Sequence, residues 1–127
     1  MKFRLILSMA CVLGALAVGL GAFGAHALEN TLSAERLETW NTAVTYQMWH
    51  VLAIIGLVVI SKVFNLELKW SINLMITGIL IFSGSLYTLC LTDISWLGAI
   101  TPIGGVCFII GWLLIPAKLI NQSTQEK

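Results

Sequence analysis

Thr39-Trp-Asn-Thr-Ala-Val-Thr-Tyr-Gln-Met-Trp-His50, continued by Val51-Leu-Ala-Ile-Ile-Gly-Leu-Val-Val-Ile60 and Ser61, decides how this chain is read. The first half is polar at intervals and ends in a single histidine. The ten residues from Val51 to Ile60 carry no polar side chain. No Asp, Glu, Lys or Arg lies between Glu38 and Lys62. A surface helix of that length in a water-soluble protein keeps charges on one face. The stretch therefore reads as a membrane span that holds one ionisable group inside it.

The whole composition points the same way. Of 127 residues, 58% are hydrophobic and 10% charged, where a soluble domain has about a quarter charged. The length is that of one domain. A net charge of +1 leaves no basic surface to attract a polyanion, so no nucleic-acid partner is expected. Cys11, Cys90 and Cys107 form no CxxC pair and all fall in apolar runs, where free cysteine behaves as a small hydrophobe.

Upstream of the opening stretch, Lys2 and Arg4 precede an uncharged run from Leu5 to Ala25. Its 21 residues would extend about 31 Å as a helix, the thickness of a bilayer core. The competing reading is a cleaved signal peptide ending at Ala25-His26-Ala27. The run exceeds the apolar segment of such peptides and more spans follow it, so retention of the first span is expected. Ala10, Gly14, Ala17, Gly21 and Gly24 recur at threes and fours. That puts small residues on one helix face, where a neighbouring backbone can approach closely. From Ser33, Leu37, Trp40 and Val44 alternate with Glu35, Arg36, Glu38 and Asn41. One long helix from about Ala34 to Ser61 is expected, its outer part amphipathic.

Downstream, the short segment Lys62 to Lys69 carries a cation at each end, and Trp70 to Leu91 is again uncharged. Thr92-Asp93-Ile94-Ser95 makes a polar turn, and Trp96 opens a fourth apolar run that reaches about Ala117. Within it, Pro102 either kinks a continuous helix or starts one capped by Thr101 after a short re-entrant piece. The remaining length after Pro102 is short for a span, so the kinked helix is expected. The tail from Asn121 to Lys127 is polar, and fraying is expected there. The expected fold is thus an all-α membrane protein, a single four-helix domain over 1–127 with spans at about 5–25, 42–61, 70–91 and 96–117. Lys2, Arg4, Lys62, Lys69, Lys118 and Lys127 share one side of such a fold and Arg36 stands alone on the other. That bias predicts both termini in the cytoplasm, with Trp70 and Trp112 toward the inner interface and Trp40 and Trp96 toward the outer.

His50 is the residue in the spans best suited to chemistry. A charge at its depth is costly, so a neutral ring hydrogen-bonded to neighbours is expected, either as a proton relay or as a structural tie. Tyr46 is one turn away, and Ser83, Ser85 and Tyr87 of the third span are the expected partners across the interface. His26 lies at the end of the first span and at a different depth, which argues against a paired-histidine site. No carboxylate lies within any span, and no complete ligand set is present, so no metal or cofactor is expected. No nucleophile, zinc-protease, phosphate-loop or dinucleotide-binding pattern occurs, and an enzyme is not expected.

Four stretches together resemble a known family: Gly19-Leu-Gly-Ala-Phe-Gly-Ala-His-Ala-Leu28, Trp40-Asn-Thr-Ala-Val-Thr-Tyr-Gln-Met-Trp-His50, Phe82-Ser-Gly-Ser-Leu-Tyr87 and Thr101-Pro-Ile-Gly-Gly105. They are similar to the domain-of-unknown-function 423 family, small bacterial inner-membrane proteins of the YgdD and YwdK type, related to animal transmembrane protein 256. The resemblance runs from about Phe3 to Ala117. It implies a four-helix inner-membrane protein with an uncleaved first span, and it carries no catalytic residues over. It also implies that His26, Tyr46, His50, Ser83, Ser85 and Tyr87 gather near the bend at Pro102, Gly104 and Gly105. Two functions are left to weigh: a structural or accessory bundle binding lipid or membrane partners, and a solute or proton pathway built by oligomerised bundles around His50.

Overall fold

A computed structural model describes residues 2–125, and among them every regular element is helical. Helix α1 covers Phe3–His26 and α2 covers Ala34–Val63. The third span is built from α3 (Lys69–Gly78), a π-helical turn (Ile79–Ser83) and α4 (Gly84–Thr92). A 3-10 helix (Ser95–Ala99) and α5 (Thr101–Gln125) make the fourth. Four of these stretches, Phe3–His26, Ala34–Val63, Lys69–Thr92 and Ser95–Gln122, are long and apolar enough to cross a membrane.

The boundaries follow from local chemistry. Ser33 caps α2, its hydroxyl accepting from the Arg36 N–H at 3.2 Å, which satisfies one of the free donors of the first turn. With 30 residues, α2 extends about 45 Å, longer than the ~30 Å hydrocarbon core. The excess is the amphipathic N-terminal part of the helix. Asp93 takes the left-handed conformation that ends α4 (φ 57°), and Asn65 does so in the turn after α2 (φ 51°). Both are residue types that tolerate it.

The fourth span requires a correction. A continuous α-helix kinked at Pro102 is not what forms: the 3-10 helix comes first, and Pro102 occupies the first turn of α5. The physical reason is that proline lacks the amide hydrogen that an interior position would need, whereas first-turn amides have no intrahelical acceptor anyway. Farther along, α5 continues through Pro116 and reaches Gln125, so the tail expected to fray at Asn121 is helical to that point. Lys127, one of the six cations in the orientation argument, lies outside the described residues.

Packing proceeds by antiparallel pairs. Along α1 and α2, a Cβ added to Gly14 would stand 3.3 Å from Val51, one at Gly21 3.3 Å from Val44, and one at Gly24 2.5 Å from the Trp40 indole. Ala10, Ala17 and Gly24 are the buried residues of α1. Between the third span and α5 the pattern repeats. Gly78 receives the Phe108 ring, Gly111 faces Met75 and the Ser71 carbonyl, and Gly104 lies against the backbone of Phe82. In lipid, such close approach is what gives helix pairs their attraction, because apolar surface has no preference for protein over acyl chains. The third span also packs on α2, while α1 and α5 make no extensive contact with each other.

Candidate polar centre of the bundle

The second helix is the hub of the interior, and its buried face runs Trp40, Ala43, Gln47, His50, Val51, Ile54 and Leu57–Val58 to Ser61. From Trp40 to Val51 that threes-and-fours stripe places three polar groups (the Trp40 indole, the Gln47 amide and the His50 imidazole) among apolar neighbours, where each requires a partner.

All three have one. The Trp40 indole donates to the Leu20 carbonyl at 2.8 Å, and its ring lies 4.8 Å from that of Tyr87. Gln47 donates through Nε2 to the Leu13 carbonyl at 2.8 Å and accepts through Oε1 from the Tyr87 hydroxyl at 2.8 Å. One side chain thus ties α1, α2 and α4 together. From the third span, the Ser83 hydroxyl donates to the Ala43 carbonyl at 2.7 Å and the Cys90 thiol to the Arg36 carbonyl at 3.2 Å. Ser85 shares a 2.7 Å bond with Thr101 of α5.

His50 is 5% exposed. Its Nδ1 lies 2.7 Å from the Tyr46 carbonyl, and the Trp112 indole approaches its Nε2 at 3.2 Å. A carbonyl can only accept and an indole N–H can only donate. The ring is therefore neutral, with its proton on Nδ1. The Phe108 ring covers it face to face, with centroids 3.5 Å apart and planes 13° apart. Tyr46 stacks near by, its ring 4.6 Å from Phe82.

These contacts correct the expected reach of His50 toward the third span. Phe108 and Trp112 are one turn apart on α5, so a helix that lays Phe108 on the imidazole also delivers the Trp112 donor to its edge. The serine hydroxyls are already engaged: Ser83 by Ala43, and Ser85 by Thr101 and the Phe82 carbonyl. The polar residues consequently form several bonded sets rather than one cluster. His26 stands apart, exposed in the last turn of α1, so it does not join His50 in a ligand pair. Among the described residues no group of three His, Cys, Asp or Glu is arranged to hold a metal ion.

Gln47, Phe108 and Trp112 are the residues that sequence reasoning passed over. Gln47 shares the stripe of Trp40 and Val51 and is an amide in an apolar face, which was signal enough. Trp112, which the tryptophan pattern places toward the inner interface, instead reaches His50 in the structure.

At the end of the bundle away from the N-terminus, Arg36 Nε and the terminal guanidinium nitrogen donate to the same Asp93 oxygen at 3.0 and 2.7 Å. This clamps the start of α2 to the turn after α4. The Asp93 side chain is 80% exposed, so the pair contributes little stability.

Comparison with known proteins agrees with this architecture. The family model described as "Protein of unknown function (DUF423)" matches residues 20–105. A UPF0382 membrane protein of Staphylococcus saprophyticus is 54% identical over 108 residues, covering 82% of this chain and 90% of that protein. The UPF0382 membrane protein YwdK of Bacillus subtilis is 49% identical over 111 residues, covering 84% and 88%. A UPF0382 membrane protein of Staphylococcus haemolyticus is 49% identical over 115 residues, covering 91% and 93%. No solved structure matches.

Proposed function

The chain belongs to the DUF423 family, whose relatives are named as membrane proteins, and on that premise we propose that it is a structural or accessory bundle rather than a conduit or an enzyme. It would act by presenting its outer surface to lipid and to membrane partners, further copies of itself included. The observation that supports this is the engagement of the interior polar groups. Among the described residues no buried side-chain nitrogen or oxygen lacks a hydrogen-bond partner, and both nitrogens of His50 are held by protein groups. A relay needs a group free to pass its proton on. Here the imidazole is bonded at each end and covered by Phe108.

Purified protein in liposomes loaded with a pH-sensitive dye tests this. Proton flux is expected to match that of protein-free liposomes. Flux above that level that disappears in a His50→Gln variant would replace the accessory reading with a proton pathway.

The bacterial inner membrane with both termini in the cytoplasm is the proposed location, supported by the bias of Lys and Arg toward one end of the fold. In a cysteine-free background, a membrane-impermeant thiol reagent added to intact cells is expected to label Asn30→Cys and to miss Asn65→Cys. The reverse pattern would invert the orientation.

A further inference from the structure

The turn between α2 and α3 is built more firmly than a connection requires. The Ser61 hydroxyl donates to the Leu66 carbonyl at 2.5 Å, and the Leu66 N–H returns a bond to the Ser61 carbonyl at 3.0 Å. Leu66 and Leu68, 6% and 1% exposed, anchor the turn in the core. Asn65 supplies the left-handed residue it needs. This reciprocal closure between Ser61 and Leu66 uses neither flanking cation, Lys62 or Lys69.

Each of the two lies over an aromatic ring. The Lys62 ammonium is 4.5 Å from the centre of Phe3, and that of Lys69 is 5.7 Å from Trp70. Beside them opens a groove of about 280 Å³ lined by Phe3, Ser61, Asn65, Leu66, Glu67 and Lys69. Lys2 and Arg4, both exposed, stand on either side of Phe3 in sequence. Glu67 is the one carboxylate in the groove among the described residues. It is 3.8 Å from Lys69 with the two side chains 73% and 47% exposed, a pairing readily displaced.

Apolar surface adjoins this charge. Val63, Phe64 and Trp70 are 70%, 63% and 62% exposed, next in sequence to the lysines. A free inorganic anion would have no use for that surface; an amphiphile whose head is anionic and whose tails are apolar fits both parts.

We propose that the α2–α3 turn and the start of α1 form a binding site for the phosphate headgroup of an anionic phospholipid, with Lys62 and Lys69 as the headgroup ligands and Val63, Phe64 and Trp70 along the acyl chains. The proposal deepens the reading of the chain as a lipid-facing accessory bundle. It does not depend on absence of flux, so a conducting protein with this lipid preference would overturn the earlier reading and leave this one standing.

The full chain in neutral detergent micelles, titrated with phosphatidylglycerol or phosphatidylcholine while its melting temperature is followed, provides the test. Phosphatidylglycerol is expected to raise the midpoint well beyond phosphatidylcholine. Lys62→Gln and Lys69→Gln should each raise the half-saturating lipid fraction about 5-fold, the fold-change for one cation near an anionic surface. Arg36→Gln, at the opposite end, should leave that fraction unchanged. Glu67→Gln removes the opposing charge without touching either lysine and should lower it, which keeps the test decisive if a lysine variant fails to fold. Equal response to the two lipids, an equal midpoint rise with inorganic phosphate, the same loss in Arg36→Gln, or an unchanged titration in Glu67→Gln would each overturn the site.

Discussion

Gly104→Ala is expected to destabilise the bundle by about 1–3 kcal/mol, the range for overpacked sites, and to lower its melting temperature in detergent. The added methyl would be driven into the amide nitrogen and Cα of Phe82. A flexible side chain could swing aside, but a helix backbone moves only with its neighbours. Here the displacement would lift α5 from the third span along a seam that also seats Phe108 in Gly78 and Gly111 on Met75. The internal control is one residue away. A methyl at Gly105 would stand 3.9 Å from the Phe82 ring, an ordinary contact, so Gly105→Ala should change the melting temperature little. Equal effects of the two substitutions would mean that the helices do not meet in this register.

The second large effect is expected at Trp40. The side chain is 1% exposed, packed between Phe23 and Tyr87 with ring centroids at 6.2 and 4.8 Å. Trp40→Ala empties that space and releases the Leu20 carbonyl. About 3–5 kcal/mol is the usual consequence of such a truncation. Gly24→Ala should also destabilise, since its Cβ would come within 2.5 Å of the indole. The two changes are predicted to be coupled: with Trp40 already replaced by alanine, the methyl at position 24 has room, and Gly24→Ala should become nearly neutral. A double-mutant cycle measures that coupling directly. Strict additivity would show that the indole does not rest on Gly24.

What the sequence made legible is what hydrophobicity controls. The four spans, the single long second helix and the small-residue face of α1 all follow from runs and periods of apolar residues, and each is present. The π-helical turn at Ile79–Ser83 and the 3-10 helix before α5 leave no such mark. Both change the hydrogen-bonding ring by one residue without altering which side chains are apolar, and tertiary packing decides them. The π turn inserts a residue between the face that meets α5 through Gly78 and the face that presents Ser83 to Ala43. The partner of His50 was hidden for a related reason. The hydroxyls of Ser83, Ser85 and Tyr87 point to the third span, but α5, seated by Phe108 on Gly78, supplies the partner. A glycine with no side chain to advertise its partner gives a one-dimensional reader little to use.

Four of the bonds that fasten this bundle are one-sided in their genetic encoding. Trp40, Gln47, Ser83 and Cys90 each supply a side chain, and the matching acceptors are the main-chain carbonyls of Leu20, Leu13, Ala43 and Arg36. Every amino acid carries that carbonyl. Substitution at 13, 20 or 43 therefore changes the local shape but never deletes the acceptor, while substitution of the donor removes the bond outright. Such contacts require no matched pair of codons, and drift on the accepting side of each contact is free of the bond itself. Tyr87 with Gln47, Ser85 with Thr101, Trp112 with His50 and Arg36 with Asp93 instead bind two side-chain identities to one another, and there a change at one position alters the chemical requirement at the other.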